Sequence, residues 1–179
     1  MNWQLVPLQP RHLQEVVDVH TQAFPGFFLT FLGPSFLREF YASFLADPSG
    51  IALVAEDKSG SVLGVVVGLL HPEGHFKRLL KRRWWAFCRA SLGAVLKKPT
   101  IARRLLRAVS YRGEPPQGLP RALLSSLAVA PQAQGRGMGA RLVQAWLQEV
   151  RTRGSIGCYL TTDAEDNEPV NRLYSRLGW

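Results

Sequence analysis

Three glycines at alternate positions separate an apolar stretch of this sequence from an amphipathic one. Residues 127–140 read LAVAPQAQGRGMGA in one-letter code. Without a Cβ, Gly135, Gly137 and Gly139 allow the backbone to turn tightly and to approach a ligand closely. The unpaired N–H groups of a new helix point outward at such a place, and the helix dipole favours an anion there. The segment therefore predicts a diphosphate-binding loop, with an ordinary glycine-rich turn as the alternative.

Two better-known nucleotide loops fit these residues poorly. A P-loop ends in Gly-Lys-Ser or Gly-Lys-Thr, and this segment contains neither. Gly135, Gly137 and Ala140 match the spacing of the dinucleotide fingerprint, but that fingerprint directly follows a strand of a parallel βαβ unit. Here residues 130–134 intervene, and the strands predicted before the loop do not form a parallel series. Both alternatives are disfavoured.

A second motif follows after a predicted helix and strand. It reads Asn167-x-x-Val170-x-x-Leu173-Tyr174-x-x-x-Gly178-Trp179. Together with Gln134-x-x-Gly137-x-Gly139, it resembles the GNAT superfamily of N-acetyltransferases. That family carries Gln/Arg-x-x-Gly-x-Gly/Ala and then Asn-x-x-Ala-x-x-Leu/Phe-Tyr-x-x-x-Gly-Phe. The resemblance covers residues 121–179 closely and residues 3–70 loosely.

The resemblance implies an enzyme that transfers an acetyl group from acetyl-CoA to a primary amine of a small molecule, such as an amino sugar, by direct attack in a ternary complex. It implies that Tyr174 protonates the departing thiolate and that no metal takes part. The implied cofactor-binding residues are Leu127, Ala128, Val129, Gln134, Gly135, Arg136, Gly137, Met138, Gly139, Ala140 and Asn167. A catalytically idle CoA-binding or membrane-surface scaffold domain is the alternative function.

The general base is the step that the motifs do not assign. Many members of the family have an acidic residue on the strand before the loop, where this chain has Ser125 and Ser126. A serine alone is not a base at neutral pH, so either a water chain removes the proton or the amine arrives neutral. Four other residues are candidate helpers: His20, Glu56, Asp57 and His71.

The pattern of apolar residues predicts an α/β (mixed α+β) fold in one domain, residues 1–179. Strands are expected at residues 3–7, 51–56, 62–70, 123–129 and 159–162; helices are expected at 10–23, 35–46, 76–92, 99–109, 137–153 and 169–177. By the resemblance, these form a GNAT-like, twisted, mostly antiparallel sheet with helices on both faces, splayed between strands 4 and 5. An aromatic segment at 24–34 either contacts the acceptor or packs on the core.

The net charge of +9 is concentrated in one part of the chain. Residues 75–112 hold twelve Lys and Arg and no acid, which leaves the rest of the chain at −3. This basic insertion, at about 72–118, predicts two amphipathic helices. They form a solvated helical pair, a lid over an anionic acceptor, or a surface for an anionic membrane, where Trp84 and Trp85 would lie. Nucleic acid binding is disfavoured, because no reading module accompanies the charge.

The remaining features concern location and assembly. No secretory signal or membrane-spanning run is present in the sequence, and Cys88 and Cys158 have no metal-ligand spacing. We therefore expect a cytoplasmic protein with reduced thiols. The chain ends at Trp179, where the family continues for two more strands, so we expect these strands to be missing or to be supplied by another chain. A homodimer is one way to supply them.

Overall fold

The computed structural model describes residues 2–76, 78, 79, 81, 122–162 and 168–179, so almost all of the basic insertion lies outside the described residues. The strands are β1 Trp3–Pro7, β2 Gly50–Asp57, β3 Val62–Leu69, β4 Ala122–Val129 and β5 Cys158–Tyr159. The helices are α1 Leu13–Ala23, α2 Phe28–Phe31, α3 Pro34–Ala46, α4 Met138–Thr152 and α5 Glu168–Arg176. Short 3-10 turns precede α1 at Pro10–His12 and α4 at Pro131–Ala133.

The strands form one sheet in the order β1-β2-β3-β4-β5, which is also their order along the chain. The first four are antiparallel to their neighbours, and β4 and β5 are parallel. Every residue of β3 is buried, as expected for a β-branched strand at the centre of a sheet that is covered on both faces. The expected mixed, mostly antiparallel sheet is confirmed.

Helices cover both faces of this sheet. Helices α1 and α3 pack together against strands of the sheet, and α4 packs against β2, β3 and β4. Two glycines of β3 lie on the face that α4 covers. A Cβ built on Gly64 would lie 3.0 Å from Leu142, and one built on Gly68 would overlap the ring of Trp146. These glycines therefore let α4 lie close to the centre of the sheet.

The sheet opens between its last two strands. Strands β4 and β5 pair only at Ala122 with Cys158 and at Leu123 with Tyr159. The prediction of a strand at residues 159–162 was therefore wrong in its extent, because the ladder between the described parts of β4 and β5 ends at Tyr159. We call the region between residues 124–129 of β4 and residues 160–162, where the two segments no longer pair, the wedge.

A β-bulge accompanies this divergence. The register of β3 and β4 shifts between Val67, which faces Ser126, and Gly68, which faces Leu124. Ser125 is thus the extra residue on β4. A bulge increases the local twist of a strand and bends it. Its place in β4, just after the two residues that pair with β5, accounts for the turning of β4 away from its neighbour.

Within the ranges that the structure describes, no helix combines the length and the apolar character that crossing a membrane requires. No group of three or more His, Cys, Asp or Glu residues that could hold a metal ion was found in the same ranges.

Candidate functional site

The free edge of β4 directs two backbone N–H groups into the wedge. Residues of an antiparallel ladder alternate between pairs that exchange hydrogen bonds and pairs that do not. Ala130 donates its N–H to Leu63 O at 2.8 Å, just past the end of β4. Ala128, two residues earlier, therefore has the same orientation toward β3. Leu127 and Val129 alternate with it, so their N–H groups point to the opposite edge, where β5 has already diverged.

The glycine loop adopts a backbone that only glycine takes up readily. Gly135 and Gly137 have φ angles of 72° and 75°, in the left-handed region. A methyl group built on either residue would meet no atom of the described residues within 4 Å, so these residues leave the space beside the loop open. Gln134 and Arg136 are also exposed. The loop thus presents its backbone to solvent, as a phosphate-binding loop must.

The first turn of α4 continues this surface. The first N–H bond into the helix runs from Arg141 N to Gly137 O at 3.1 Å. The N–H groups of Met138, Gly139 and Ala140 precede it and have no acceptor within the helix. Gly137 is the N-cap, and no side chain of the described residues caps this end. Three N–H groups at the positive end of a helix of 15 residues therefore have no acceptor within the described part of the chain and can donate to an anion.

The predicted motifs meet at Gly139. A methyl group built there would lie 3.5 Å from Leu173 Cδ2 of α5, 3.8 Å from Leu127 Cδ2 and 3.9 Å from Val129 Cγ2 of β4. Gln134 Nε2 also donates to Val129 O at 2.9 Å, which fastens the loop to the end of β4. The structure therefore brings together residues that are more than 40 positions apart in the sequence.

Tyr174 follows Leu173 on α5 and is buried, with its ring centroid 5.8 Å from that of Trp179. Burial raises the pKa of Tyr174 to about 12, so the hydroxyl keeps its proton throughout the neutral range. Asn167, the other predicted residue of the second motif, lies outside the described residues.

The four candidate helpers for the general base are in different surroundings. Glu56 is buried in an ion pair with Arg11 at 2.9 Å. Asp57 accepts hydrogen bonds within its own exposed turn, and His71 is exposed at the end of the sheet where β4 begins. His20 alone among the four is connected to β4, through another residue.

That residue is Tyr41, whose role the sequence reasoning missed. Tyr41 Oη lies 2.8 Å from His20 Nδ1 and 3.2 Å from Ser126 Oγ. In the sequence, Tyr41 lies among the apolar residues Leu37, Phe40 and Phe44 of α3, so no local signal marks it as part of a polar cluster.

A separate open depression of about 450 Å³ lies away from the wedge. Its lining includes Asp47, Leu70, His71, Arg78 and Arg153. Leu70 follows β3 directly, at the end of the sheet where β4 begins, whereas the glycine loop follows the other end of β4. The depression is therefore not part of the site formed by the two motifs.

Comparisons with known proteins identify the family and the fold. The sequence model of the acetyltransferase (GNAT) family matches residues 13–179. The fold is similar to that of aminoglycoside N-acetyltransferase AAC(6')-Iy in complex with CoA, with a TM-score of 0.64 and 13% identity over 99% of this chain and 88% of that one. It is also similar to a GNAT family acetyltransferase from Brucella melitensis in complex with acetyl-CoA, with a TM-score of 0.54 and 19% identity over 94% and 81%.

A third similar structure, SsHAT, has a TM-score of 0.70 and 22% identity over 99% of this chain and 91% of that one. At these identities the three structures show a shared fold. No curated protein matches the sequence.

Proposed function

Because this chain belongs to the GNAT family of acetyltransferases, we propose that it transfers an acetyl group from acetyl-CoA to a primary amine of a small molecule. The observation that carries the proposal is the set of five backbone N–H groups around the wedge. Two come from the free edge of β4, at Leu127 and Val129. Three come from the first turn of α4, at Met138, Gly139 and Ala140.

The two groups of N–H donors suit different parts of acetyl-CoA. The helix end, with the open backbone of Gly135 and Gly137 before it, fits a diphosphate, which needs several donors and a positive dipole. The N–H groups of β4 fit a chain of amides, with which an edge strand pairs readily. One of them would also donate to the thioester carbonyl oxygen as negative charge develops there. Arg136 and Asn167 stay proposed contacts of the same ligand.

In the proposed reaction the amine nitrogen forms a bond to the acetyl carbon while the C–S bond breaks. The amine loses one proton, and the sulfur leaves as a thiolate that takes up one. Tyr174 is proposed to supply the proton to sulfur. Because burial raises the pKa of Tyr174 to about 12, its hydroxyl is protonated at neutral pH and can donate to the sulfur as negative charge develops there.

We propose an amino sugar or similar polar amine as the acceptor class. One of the similar structures is an aminoglycoside acetyltransferase by its printed name. In this chain, Phe27 and Phe31 are 43% and 37% exposed in the segment between α1 and α3. Exposed aromatic rings are suited to pack on the apolar face of a sugar ring, so this segment would border the acceptor.

The test of the proposed function is Tyr174→Phe, with CoA thiol release and acetyl-CoA affinity measured separately. The variant keeps the packing against Trp179 and removes only the proton donor. We expect the kcat to fall by about 100-fold and the dissociation constant of acetyl-CoA, measured by calorimetry, to stay within about two-fold. Ser175→Ala removes an exposed hydroxyl from the next position of the same helix and should change neither quantity.

An unchanged kcat in Tyr174→Phe would remove the acid assignment while leaving the transferase. Absence of acetyl-CoA binding to the unmodified chain would refute the proposal as a whole.

A further inference from the structure

Three polar side chains from three separate elements form a continuous chain of hydrogen bonds at β4. His20 Nδ1, Tyr41 Oη and Ser126 Oγ follow one another at 2.8 and 3.2 Å. His20 and Tyr41 are 1% and 0% exposed, whereas Ser126 is half-buried. The chain, which we call the relay, therefore runs from the interior of the protein to the strand whose free edge borders the wedge.

The inner end of the relay has a nitrogen without a partner. His20 Nε2 is buried and makes no hydrogen bond to any described residue. A buried polar atom without a hydrogen bond is uncommon in a protein core. An apolar side chain of similar size would fill the same space without the free-energy cost of the missing hydrogen bond. The rings of Phe24, Tyr41 and Phe27 lie around the imidazole, with centroid distances of 5.2, 5.8 and 6.3 Å.

The relay is neutral at rest. Burial lowers the pKa of His20 to about 4, and burial raises the pKa of Tyr41 despite its hydrogen bond to Ser126. At neutral pH the imidazole is therefore uncharged and the phenol keeps its proton. We assign the hydrogen of His20 to Nε2, so that Nδ1 accepts from Tyr41 and Tyr41 Oη accepts from Ser126. This arrangement leaves lone pairs of Ser126 Oγ open for a donor.

The geometry leads to an inference that rests on the acetyl transfer proposed above: we propose that the relay removes the proton of the acceptor amine. The amine N–H transfers its proton to Ser126 Oγ, the serine proton moves to Tyr41 Oη, and the phenol proton moves to His20 Nδ1. The amine nitrogen loses one proton, both hydroxyls are regenerated, and His20 becomes an imidazolium. After the product leaves, the proton returns along the same path to solvent. Ser126 contacts the substrate, and Tyr41 and His20 are positioning residues that act through it.

The acidity of the groups decides when this transfer occurs. A free alkylammonium has a pKa of about 10, so it does not give its proton to an imidazole whose pKa is about 4. The N–H becomes strongly acidic once nitrogen begins to bond to the acetyl carbon, and the relay acts at that moment. Few charged groups on the packed elements can influence the titration of His20. Strands β3 and β4, which pack against α1, carry no charged residue. Helix α3, which also packs against α1, carries Arg38 at an exposed position and Glu39 at a half-buried one.

The test is the pH dependence of kcat in Tyr41→Phe, which removes the linking oxygen and keeps the ring. Kanamycin, glucosamine and ethanolamine serve as probe amines, with CoA thiol release followed from pH 6.5 to 10. We expect the kcat of Tyr41→Phe to be about 100-fold below that of the unmodified protein at pH 7. The difference in kcat should become smaller toward pH 10, where hydroxide can remove the amine proton. His20→Asn keeps a hydrogen-bonding group beside Tyr41 but cannot hold the proton, so it should show the same profile. Ser43→Ala, which removes another buried hydroxyl of α3, should leave the profile unchanged.

The outcomes separate the relay from the transferase. An equal loss at every pH would mean that Tyr41 only supports the fold, and the relay would be refuted while the transferase stands. Ser126→Ala decides the same question at a half-buried position if Tyr41→Phe does not fold. If acetyl-CoA binds but no probe amine supports turnover, the proposed transfer and the relay both fail.

Discussion

Helix α3 contributes one residue to each of two hydrogen-bonded clusters that contain a serine and a histidine, and the two histidines differ in their partners. Tyr41 belongs to the relay. Ser43, two positions later, belongs to a second cluster, the clasp, which we define as Ser43, Asp47 and His75. In the clasp both ring nitrogens of the histidine have partners, Asp47 Oδ2 at 2.7 Å and Ser43 Oγ at 3.2 Å. In the relay the histidine has one partnered nitrogen and one buried nitrogen that makes no hydrogen bond to a described residue.

The clasp shows that residue types alone do not make an active site. A Ser-His-Asp series is the composition of a hydrolase triad. However, Ser43 donates its own hydrogen to Phe40 O at 2.6 Å and is only 8% exposed, so its oxygen cannot attack a substrate. His75 also stacks on Phe44, with centroids 5.4 Å apart. Every group of the clasp has a partner, and Ser43 and His75 are buried, so the clasp contributes to stability. The relay retains an atom with no partner among the described residues, which is unfavourable by about 1–3 kcal/mol.

The largest expected effect on stability comes from removing the centre of the clasp. His75→Ala leaves Asp47 and Ser43 without their shared partner and opens a cavity beside Phe44. We expect the free energy of unfolding, measured in urea, to fall by about 4 kcal/mol, with the kcat of the folded protein unchanged. His71→Ala, at an exposed position, is the control and should change neither. A large loss of kcat in folded His75→Ala would break the distinction between the clusters.

Protonation of His20 should lower the free energy of unfolding in moderately acidic solution. Burial lowers the pKa of His20 from 6.5 to about 4, so the unfolded chain binds a proton more readily than the folded one. The resulting stability is complete above pH 6.5 and is lost as the pH falls through about 4. The loss is about 3 kcal/mol at 1.36 kcal/mol for each pKa unit. In His20→Asn, the free energy of unfolding should decline less between pH 7 and pH 4 than in the unmodified protein. The same slope of this free energy against pH in both proteins would contradict the lowered pKa of His20.

The clasp should act in a more acidic range and by a smaller amount. Burial alone would raise the pKa of Asp47, but hydrogen bonds from His75 and Ser49 outweigh it and hold the pKa at about 2. This stability is present above pH 3.8 and is lost as the pH falls through about 2. We expect about 1 kcal/mol, since partial exposure to solvent screens the interaction. In Asp47→Asn, the free energy of unfolding should depend less on pH than in the unmodified protein, but only below pH 4. A weaker pH dependence near pH 6 would show that the relay and the clasp are coupled.

Local patterns predicted most of the elements well. The bounds of β1 and the strands β2 and β3 follow from runs of β-branched and apolar residues and from the turn residues between β2 and β3, which act over a few positions. The exposed glycine loop and the start of α4 follow from glycine chemistry, which is also local. The strand expected at residues 159–162 failed because a strand exists only where a neighbour pairs with it. Periodicity along one segment contains no information about the direction in which β4 turns.

The sequence by itself thus determined the family, the sheet, and the loop at the start of α4, because each depends on short-range patterns or on two motifs of fixed spacing. Only the tertiary structure decided which polar residues work together. Tyr41 and Ser43 look equally ordinary in the sequence. The bulge at Ser125 and the packing of α1 and α3 bring Tyr41 between His20 and Ser126. Contacts across 21 and 85 positions depend on register and packing, which no local preference specifies.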